Sequence, residues 1–197
     1  MKLLLIVLTL LILSISGSMA LEGYINDIKI VKSTIDGRSY LVRNLPDSVK
    51  AANLLAEIRS RLVKIVDYLG RKYPKEAKVN RLIRNFDPDQ ISESTVDSRY
   101  TSYSVNKGEK IVFCVRQRDE LNQLVDINTM MFVAIHELAH IMTVSIGHTP
   151  EFWDNMRFIL KEASVSNLNV YRYESYHNRP VPYCGTMITD TPLKENV

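Results

Sequence analysis

Three of the four histidines of the chain lie in one short stretch, VAIHELAHIMTVSIGHTPEFW, at 133–153. His136 and His140 are four residues apart, so on a helix both imidazoles project from one face, about one turn apart. Two neutral imidazole nitrogens at this separation can bind one tetrahedral Zn²⁺ ion. Glu137 is placed to take a proton from water on the metal and to pass it to a leaving amine. The H-E-x-x-H pattern therefore predicts a zinc hydrolase.

A catalytic zinc site keeps three protein ligands and one open position, so a third ligand is required. His148 is the candidate, because it follows Gly147, which can end the helix with a positive φ and turn the chain back. Thr149 as a cap and Pro150 at the first helical position then favour a second helix. His148 is thus expected at a junction between two helices, within reach of the metal. His177, in the C-terminal tail, is an alternative third ligand.

The residues around the pattern are apolar, which predicts that the helix carrying it is buried: Met131, Phe132, Val133, Ile135, Leu138, Ile141 and Met142. Two histidines and a glutamate are costly to bury without a partner, and a metal ion supplies one. An ordinary helix can carry H-E-x-x-H by chance, but a third histidine after a glycine favours the metal site.

The combination of HELAH with a downstream GHTPEFW resembles the zincin metallopeptidases of the SprT-like and WLM group, over about residues 100–163. The resemblance implies that His136, His140 and His148 bind zinc. It further implies that Glu137 is the general base and that Phe152 is the aromatic residue that follows the third ligand. The expected activity is zinc-dependent hydrolysis of peptide bonds in a protein or peptide substrate. The alternative is a non-catalytic, zinc-stabilised interaction protein tethered to a membrane.

The remaining patterns predict an α+β fold, a zincin-like domain with a β-hairpin and packed helices. Apolar residues at helical spacing predict a long helix from about Pro46 to Gly70. Alternating residues around Asn106-Lys107-Gly108 predict a hairpin over residues 98–117. In the zincin peptidases such a strand pairs with an extended substrate backbone, and the resemblance implies the same role here. The active-site helix is expected over about Asn128 to Ile146, and the second helix over Pro150 to Ala163.

The N-terminal residues 1–21 form a predicted membrane segment, since an uncharged, mostly apolar run follows Lys2. Small residues at Ser18 and Ala20 suit a cleaved signal peptide, whereas the length of the run suits an uncleaved anchor. A buried core helix is a third reading, disfavoured because every face of the run is apolar. We favour a single-pass anchor with the catalytic domain on the non-cytosolic side, and secretion after cleavage is the alternative.

Residues 22–45 are expected to form a stalk or short strands around the Asp36-Gly37 turn, and residues 46–197 the zincin-like domain. With 197 residues, of which 46% are hydrophobic and 24% charged, the chain has room for one globular domain. The net charge of +3 comes from dispersed basic residues and gives no strong nucleic-acid signal. Relatives of the SprT-like and WLM type act on proteins crosslinked to DNA, and a domain across a membrane argues against that role. Cys114 and Cys184 can form one disulfide or none.

The tail, residues 164–197, is rich in Tyr, Pro and Asn and is expected to form loops. Three of its side chains are candidates to stabilise the oxyanion of a tetrahedral intermediate: Tyr176, His177 and Tyr183. The alternative is that they are surface or packing residues.

Overall fold

Four helices and seven short strands make up the part of the chain that the computed structural model describes, residues 27–165 and 167–193. The helices are α1 (Ser48–Lys72), α2 (Ala77–Asn85), α3 (Ile127–Met142) and α4 (Pro150–Ala163). The strands are β1 (Ile28–Lys32), β2 (Ser39–Arg43), β3 (Ile91–Glu93), β4 (Tyr103–Val105), β5 (Lys110–Phe113), β6 (Val181–Tyr183) and β7 (Thr186–Ile188). This arrangement confirms the predicted α+β class.

The long helix α1 packs one apolar face into the core, as its spacing predicts, and contacts both α3 and β2. It continues past Gly70, where the sequence pattern predicts its end, and stops at Lys72. Gly70 has a different role: a Cβ atom there would lie 2.9 Å from Cδ1 of Ile83 on α2. The glycine therefore makes room for the end of the Ile83 side chain and does not end the helix.

Strands β1 and β2 form an antiparallel pair around the Asp36-Gly37 turn, in which Gly37 has a φ of +72°. Tyr40 and Val42 of β2 are buried against the core, and β2 contacts α1. The short strands expected in this part of the sequence are thus present from Ile28 onward, and they lie against the helical core.

The central sheet has the order β3-β5-β4, with β5 parallel to β3 and antiparallel to β4. The predicted hairpin is present but its strands are shorter than residues 98–117. Positive φ angles at Asn106, Lys107 and Gly108 make its turn. A Cβ atom on Gly108 would lie 2.4 Å from the backbone oxygen of Asn85, so only glycine fits there. Strand β4 lies at the edge of this sheet and contacts α3.

Helix α3 begins after Asp126, whose carboxylate accepts hydrogen bonds from the amides of Asn128 and Thr129. It ends at Met142, four residues before the predicted end at Ile146. Arg81 on α2 donates to the Met142 carbonyl over 2.8 Å. The ammonium of Lys107 donates to the carbonyls of His140, Thr143 and Ser145 over 3.3, 2.9 and 2.8 Å. Two cations thus satisfy carbonyls at the end of this helix, where they also oppose its dipole.

The C-terminal tail contains a hairpin, so the prediction of loops throughout it is wrong. Strands β6 and β7 pair antiparallel across Cys184 and Gly185, which both have positive φ angles, as a two-residue hairpin turn requires. A disulfide joins Cys184 to Cys114, just after β5. Hence the tail hairpin is covalently fixed beside the central sheet, a pairing that the sequence left open.

A buried ion pair lies between the central sheet and the start of α1. The guanidinium of Arg116, 2% exposed, contacts Glu93 through Nε at 2.8 Å and Asp47 through Nη1 at 2.7 Å. The second oxygen of Glu93 accepts a hydrogen bond from the Arg43 amide at 2.8 Å. Since Glu93 is 4% exposed, Arg116 is the cation that compensates a carboxylate withdrawn from water.

Within residues 27–165 and 167–193, no helix combines the length and apolar character that crossing a bilayer requires. The predicted membrane segment, residues 1–21, lies outside the described residues. Membrane attachment, the side on which the domain lies and the boundaries at residues 21 and 45 therefore stay predictions.

Candidate metal centre

The three histidines of the sequence pattern converge at one point on the surface of the domain. The Nε2 atom of His136 lies 3.2 Å from Nε2 of His140 and 3.0 Å from Nε2 of His148. Ligand atoms from all three residues lie within 4.8 Å of one another. Two nitrogens bound tetrahedrally to zinc at 2.0–2.1 Å lie about 3.3 Å apart. The spacing of this cluster therefore fits a three-histidine zinc site.

Helix α3 positions His136 and His140, whereas a short loop held by hydrogen bonds positions His148. The Glu151 carboxylate accepts hydrogen bonds from the amides of Val144 and Ser145, at 3.0 and 3.2 Å. The hydroxyls of Ser145 and Thr149 are 2.6 Å apart. These contacts fold residues 143–149 back toward α3, so that His148 reaches the other two imidazoles without being part of a helix.

The start of the second helix agrees with the prediction. Thr149 caps α4 by accepting a hydrogen bond from the Phe152 amide, and Pro150 is its first residue. Gly147 has the expected positive φ of 84°, although it lies in the loop and not at the end of α3. The local sequence GHTPEFW thus encodes both the loop and the helix that follows it.

Two aromatic side chains of α4 pack against the histidine rings. Phe152 is fully buried, and the centroid of its ring lies 4.8, 4.3 and 4.7 Å from those of His136, His140 and His148. Trp153 stacks on His148 with a centroid distance of 5.6 Å. The Phe152-Trp153 pair therefore fixes the orientation of the imidazole rings, a role consistent with the downstream aromatic of the sequence pattern.

The two helical histidines are held in the neutral form that binds metals. Burial, with the charges of His140 and His148, lowers the pKa of His136 to about 3. Burial, with the charges of His148 and Lys107, lowers the pKa of His140 to about 4. Because both values lie well below 7, both imidazoles have a free lone pair at neutral pH.

Glu137 lies in the same cleft and is 3% exposed. Burial raises the pKa of its carboxyl to about 7, and hydrogen bonding with Ser104 on β4 opposes that rise. Its Oε2 atom is buried and has no hydrogen-bond partner. A buried carboxylate oxygen without a partner is costly, and a water or cation in the cleft would satisfy it.

Two cavities meet at His136. The first has a volume of about 570 Å³ and is bordered by β4, the β4–β5 turn, Glu137 and the three histidines. The second has a volume of about 600 Å³ and lies between Phe132, α4 and the C-terminal tail. The candidate site is therefore an open cleft with room on more than one side of the histidine cluster.

The three oxyanion candidates lie in different surroundings. Tyr183 is buried, and its hydroxyl is 2.5 Å from that of Ser102, which borders the first cavity. Tyr176 is buried against the Phe132 ring at 4.7 Å. His177 is exposed and lines the second cavity. No ligand atom of His177 belongs to the histidine cluster, and the catalytic roles of all three residues stay predictions.

Sequence reasoning missed three residues that shape the site: Ser104, which contacts Glu137, Lys107, which binds the end of α3, and Glu151, which holds the loop. Glu151 had a local signal, because an acidic residue in the first turn of α4 is favoured by the helix dipole. Ser104 and Lys107 lie in the hairpin, and their contacts with α3 have no counterpart in the sequence pattern.

The chain is similar to two viral proteins and to one solved structure. It is 36% identical over 173 residues to an uncharacterised protein of Acanthamoeba polyphaga mimivirus, and the match covers 86% of each chain. It is 43% identical over 51 residues to an uncharacterised protein of Invertebrate iridescent virus 3, covering 26% of this chain and 31% of the other. The crystal structure of a Wss1 mutant from Saccharomyces cerevisiae aligns with a TM-score of 0.48 and 23% identity, covering 64% of this chain and 87% of that one.

The family comparison covers most of the described domain. The WLM domain family matches residues 35–180, which include the β1–β2 turn, all four helices and the histidine cluster. The resemblance to the SprT-like and WLM group that the sequence pattern indicates is thereby confirmed. The chain belongs to the WLM domain family, a group of zinc metallopeptidases.

Proposed function

We propose that the chain is a zinc-dependent endopeptidase in which His136, His140 and His148 hold the metal and Glu137 is the general base. One observation carries the proposal: three imidazoles at zinc-ligand spacing share an open cleft with a buried carboxylate that has an unpartnered oxygen. Membership of a metallopeptidase family supports the reaction class.

The donor set suits the metal. Zinc in catalytic sites is bound by three protein ligands, often histidines, and leaves one position open. When bound, zinc supplies a Lewis acid that polarises a carbonyl oxygen and makes water acidic. The imidazoles of His136 and His140, which are neutral at pH 7, supply nitrogen donors together with the exposed imidazole of His148. The open first cavity leaves room for a substrate beside them.

Glu137 moves the proton in the proposed reaction. Its Oε2 atom takes a proton from the attacking water and then delivers it to the nitrogen of the leaving amine. Contact with Ser104 holds the carboxylate beside β4. The edge of β4 offers backbone groups that pair with an extended substrate, which would place a peptide bond next to His136 and Glu137.

The experiment is metal analysis of the full-length chain and two histidine variants. We expect about one zinc per chain in the wild type, loss of zinc in His148→Ala, and retention in His177→Ala. The second variant is the matched control, because His177 is an exposed histidine near the site but outside the cluster. Zinc that survives His148→Ala but is lost in His177→Ala would assign the third ligand to the tail and overturn this arrangement.

Cleavage is measured on an unstructured protein substrate with the same preparations. We expect peptide-bond hydrolysis by the wild type that stops on chelation of the metal and returns with added zinc. A chain that binds zinc stoichiometrically but cleaves neither proteins nor peptides would support the non-catalytic alternative instead.

The domain is further proposed to lie on the non-cytosolic side of a membrane, tethered by residues 1–21. The uncharged run after Lys2 supports this, and so does the Cys114–Cys184 disulfide, since disulfides persist in oxidising compartments. We expect the domain made in sealed microsomes to resist added protease until detergent opens the membrane. Digestion without detergent would place it on the cytosolic side.

A further inference from the structure

The second cavity at the histidine cluster has a mainly apolar lining and no part in the proposed mechanism. Its volume of about 600 Å³ falls within the range of cavities that bind ligands in proteins. Six of its thirteen lining residues are apolar or aromatic: Phe132, Trp153, Met156, Tyr173, Pro192 and Leu193. His136 is the one histidine of the cluster that borders both this cavity and the first.

The apolar floor of the cavity is part of the protein core. Phe132 lies four residues before His136 on α3, so the two side chains share a face of the helix. Met156 on α4 is 1% exposed and Phe132 is 7% exposed. Side chains that are packed this tightly keep their positions, so the floor is formed before any ligand binds.

The C-terminal tail supplies the outer wall. Arg157 on α4 donates through Nε to the Pro192 carbonyl over 3.1 Å, and Leu193 packs against the core. Arg157 also forms an ion pair with Asp154 at 2.6 Å. The lining contains one further charged residue, Asp190, of opposite sign to Arg157. Neither sign of charge therefore dominates the cavity, and its chemistry is that of an apolar pocket.

We propose that this cavity is a specificity subsite, which accepts a large apolar side chain from a substrate residue next to the scissile bond. The inference rests on the proposed peptidase function. A peptide extended along β4 occupies the first cavity, and its side chains alternate between its two faces. Because His136 borders both cavities, a side chain near the scissile bond can enter the second cavity while the backbone stays beside β4. Burial of such a side chain is favourable.

The experiment uses the zinc-loaded full-length chain and a randomised peptide library read by mass spectrometry. We expect enrichment of Phe, Leu or Met at one position that flanks the cleaved bond. Matched peptides that differ only at this position should show kcat/KM for Phe at least roughly 10- to 200-fold above that for Ala, since one methylene group in an apolar pocket already gives a difference of that size.

Ser175→Phe tests the cavity itself. Ser175 lines it, and its backbone carbonyl, which the substitution keeps, accepts hydrogen bonds from the amides of Asn178 and Arg179. A phenyl group there takes up part of the cavity, so we expect the ratio of kcat/KM for the Phe peptide to kcat/KM for the Ala peptide to fall by about 10-fold or more. Arg179→Phe is the control, since Arg179 is an exposed residue of the same loop that does not line the cavity.

The outcomes separate the two proposals. An equal loss on both peptides in Ser175→Phe, or a wild type without a preference at either flanking position, would overturn the subsite and leave the peptidase function standing. A zinc-loaded wild type that cleaves no peptide of the library would overturn the peptidase function, and the subsite with it.

Discussion

Replacing Glu137 by glutamine is expected to lower kcat for peptide hydrolysis by about 10²- to 10⁴-fold, the usual contribution of a general base. The amide keeps the size of the side chain and can still accept a hydrogen bond, but it cannot take a proton from water. Zinc content should stay at the wild-type level, because the proposed ligands are the three histidines. The measurement is kcat with zinc analysis on the same preparation.

Glu120→Gln is a suitable control, because Glu120 is an exposed acid outside the cleft. A Glu137→Gln variant that binds zinc and keeps more than about a tenth of the activity would assign the proton transfer to another group.

The pH dependence of kcat/KM provides a second test of the proposed role of Glu137. The base acts only when it is deprotonated, so kcat/KM falls as the pH drops through its pKa. Burial raises the pKa of Glu137 to about 7, and a cation nearby opposes that rise. We therefore expect the acid limb of the wild-type profile below pH 7, and we expect Glu137→Gln to lack it.

Replacing Arg116 by methionine is expected to lower the free energy of unfolding by about 3 to 5 kcal/mol, because the change leaves a buried charge without its partner. The carboxylate concerned is Glu93, since Asp47, the other partner of Arg116, has 35% of its side chain exposed and can be hydrated. Urea unfolding at fixed zinc concentration measures the effect. A decrease of less than about 1 kcal/mol in the free energy of unfolding would show that the Arg116–Glu93 pair contributes no more than a surface salt bridge does.

The destabilisation caused by Arg116→Met should increase with pH. Burial already raises the pKa of Glu93 above its ordinary value, while Arg43 and Arg116 oppose the rise. When the pKa of a carboxyl group is higher in the folded protein than in the unfolded chain, its contribution to the free energy of unfolding is fully present below the unfolded-state pKa. This contribution is lost as the pH rises through the folded-state pKa. Removal of Arg116 raises the pKa of Glu93 further, so the variant should lose more stability at pH 8 than at pH 5.

The double variant Arg116→Met with Glu93→Gln separates charge from packing. Glutamine removes the buried charge and keeps an acceptor for the Arg43 amide. We expect the double variant to be more stable than Arg116→Met alone at pH 8, and its stability to vary less between pH 5 and 8. No recovery would indicate that Arg116 acts mainly through its packing contacts.

The parts of the site that the sequence predicts are those with local signals. His136 and His140 are separated by one helical turn, so their convergence follows from helix geometry alone. Thr149 and Pro150 encode the start of α4 within a few residues. Gly147 marks the change of direction that brings His148 back. Each of these inferences depends on neighbours in the chain, which the sequence shows directly.

The features that the sequence does not predict depend on contacts between distant residues. The end of α3 at Met142 is set with Arg81 and Lys107, which come from α2 and the hairpin. The short strands β6 and β7 have weak patterns, and Pro182 within β6 argues against a strand on sequence grounds. The second cavity forms only when the C-terminal tail reaches α4, so its apolar lining is dispersed along the sequence.

The disulfide between Cys114 and Cys184 encloses α3, α4, the three histidines of the cluster and Glu137. For an endopeptidase this bears on autolysis, in which one copy cuts another. A single cut between the two cysteines leaves both fragments covalently joined, so the nicked halves remain at a high effective concentration and can stay assembled. A cut before Cys114 lacks this protection. The segment that carries the proposed metal ligands is thus the one that a single autolytic cut cannot disperse while the disulfide is intact.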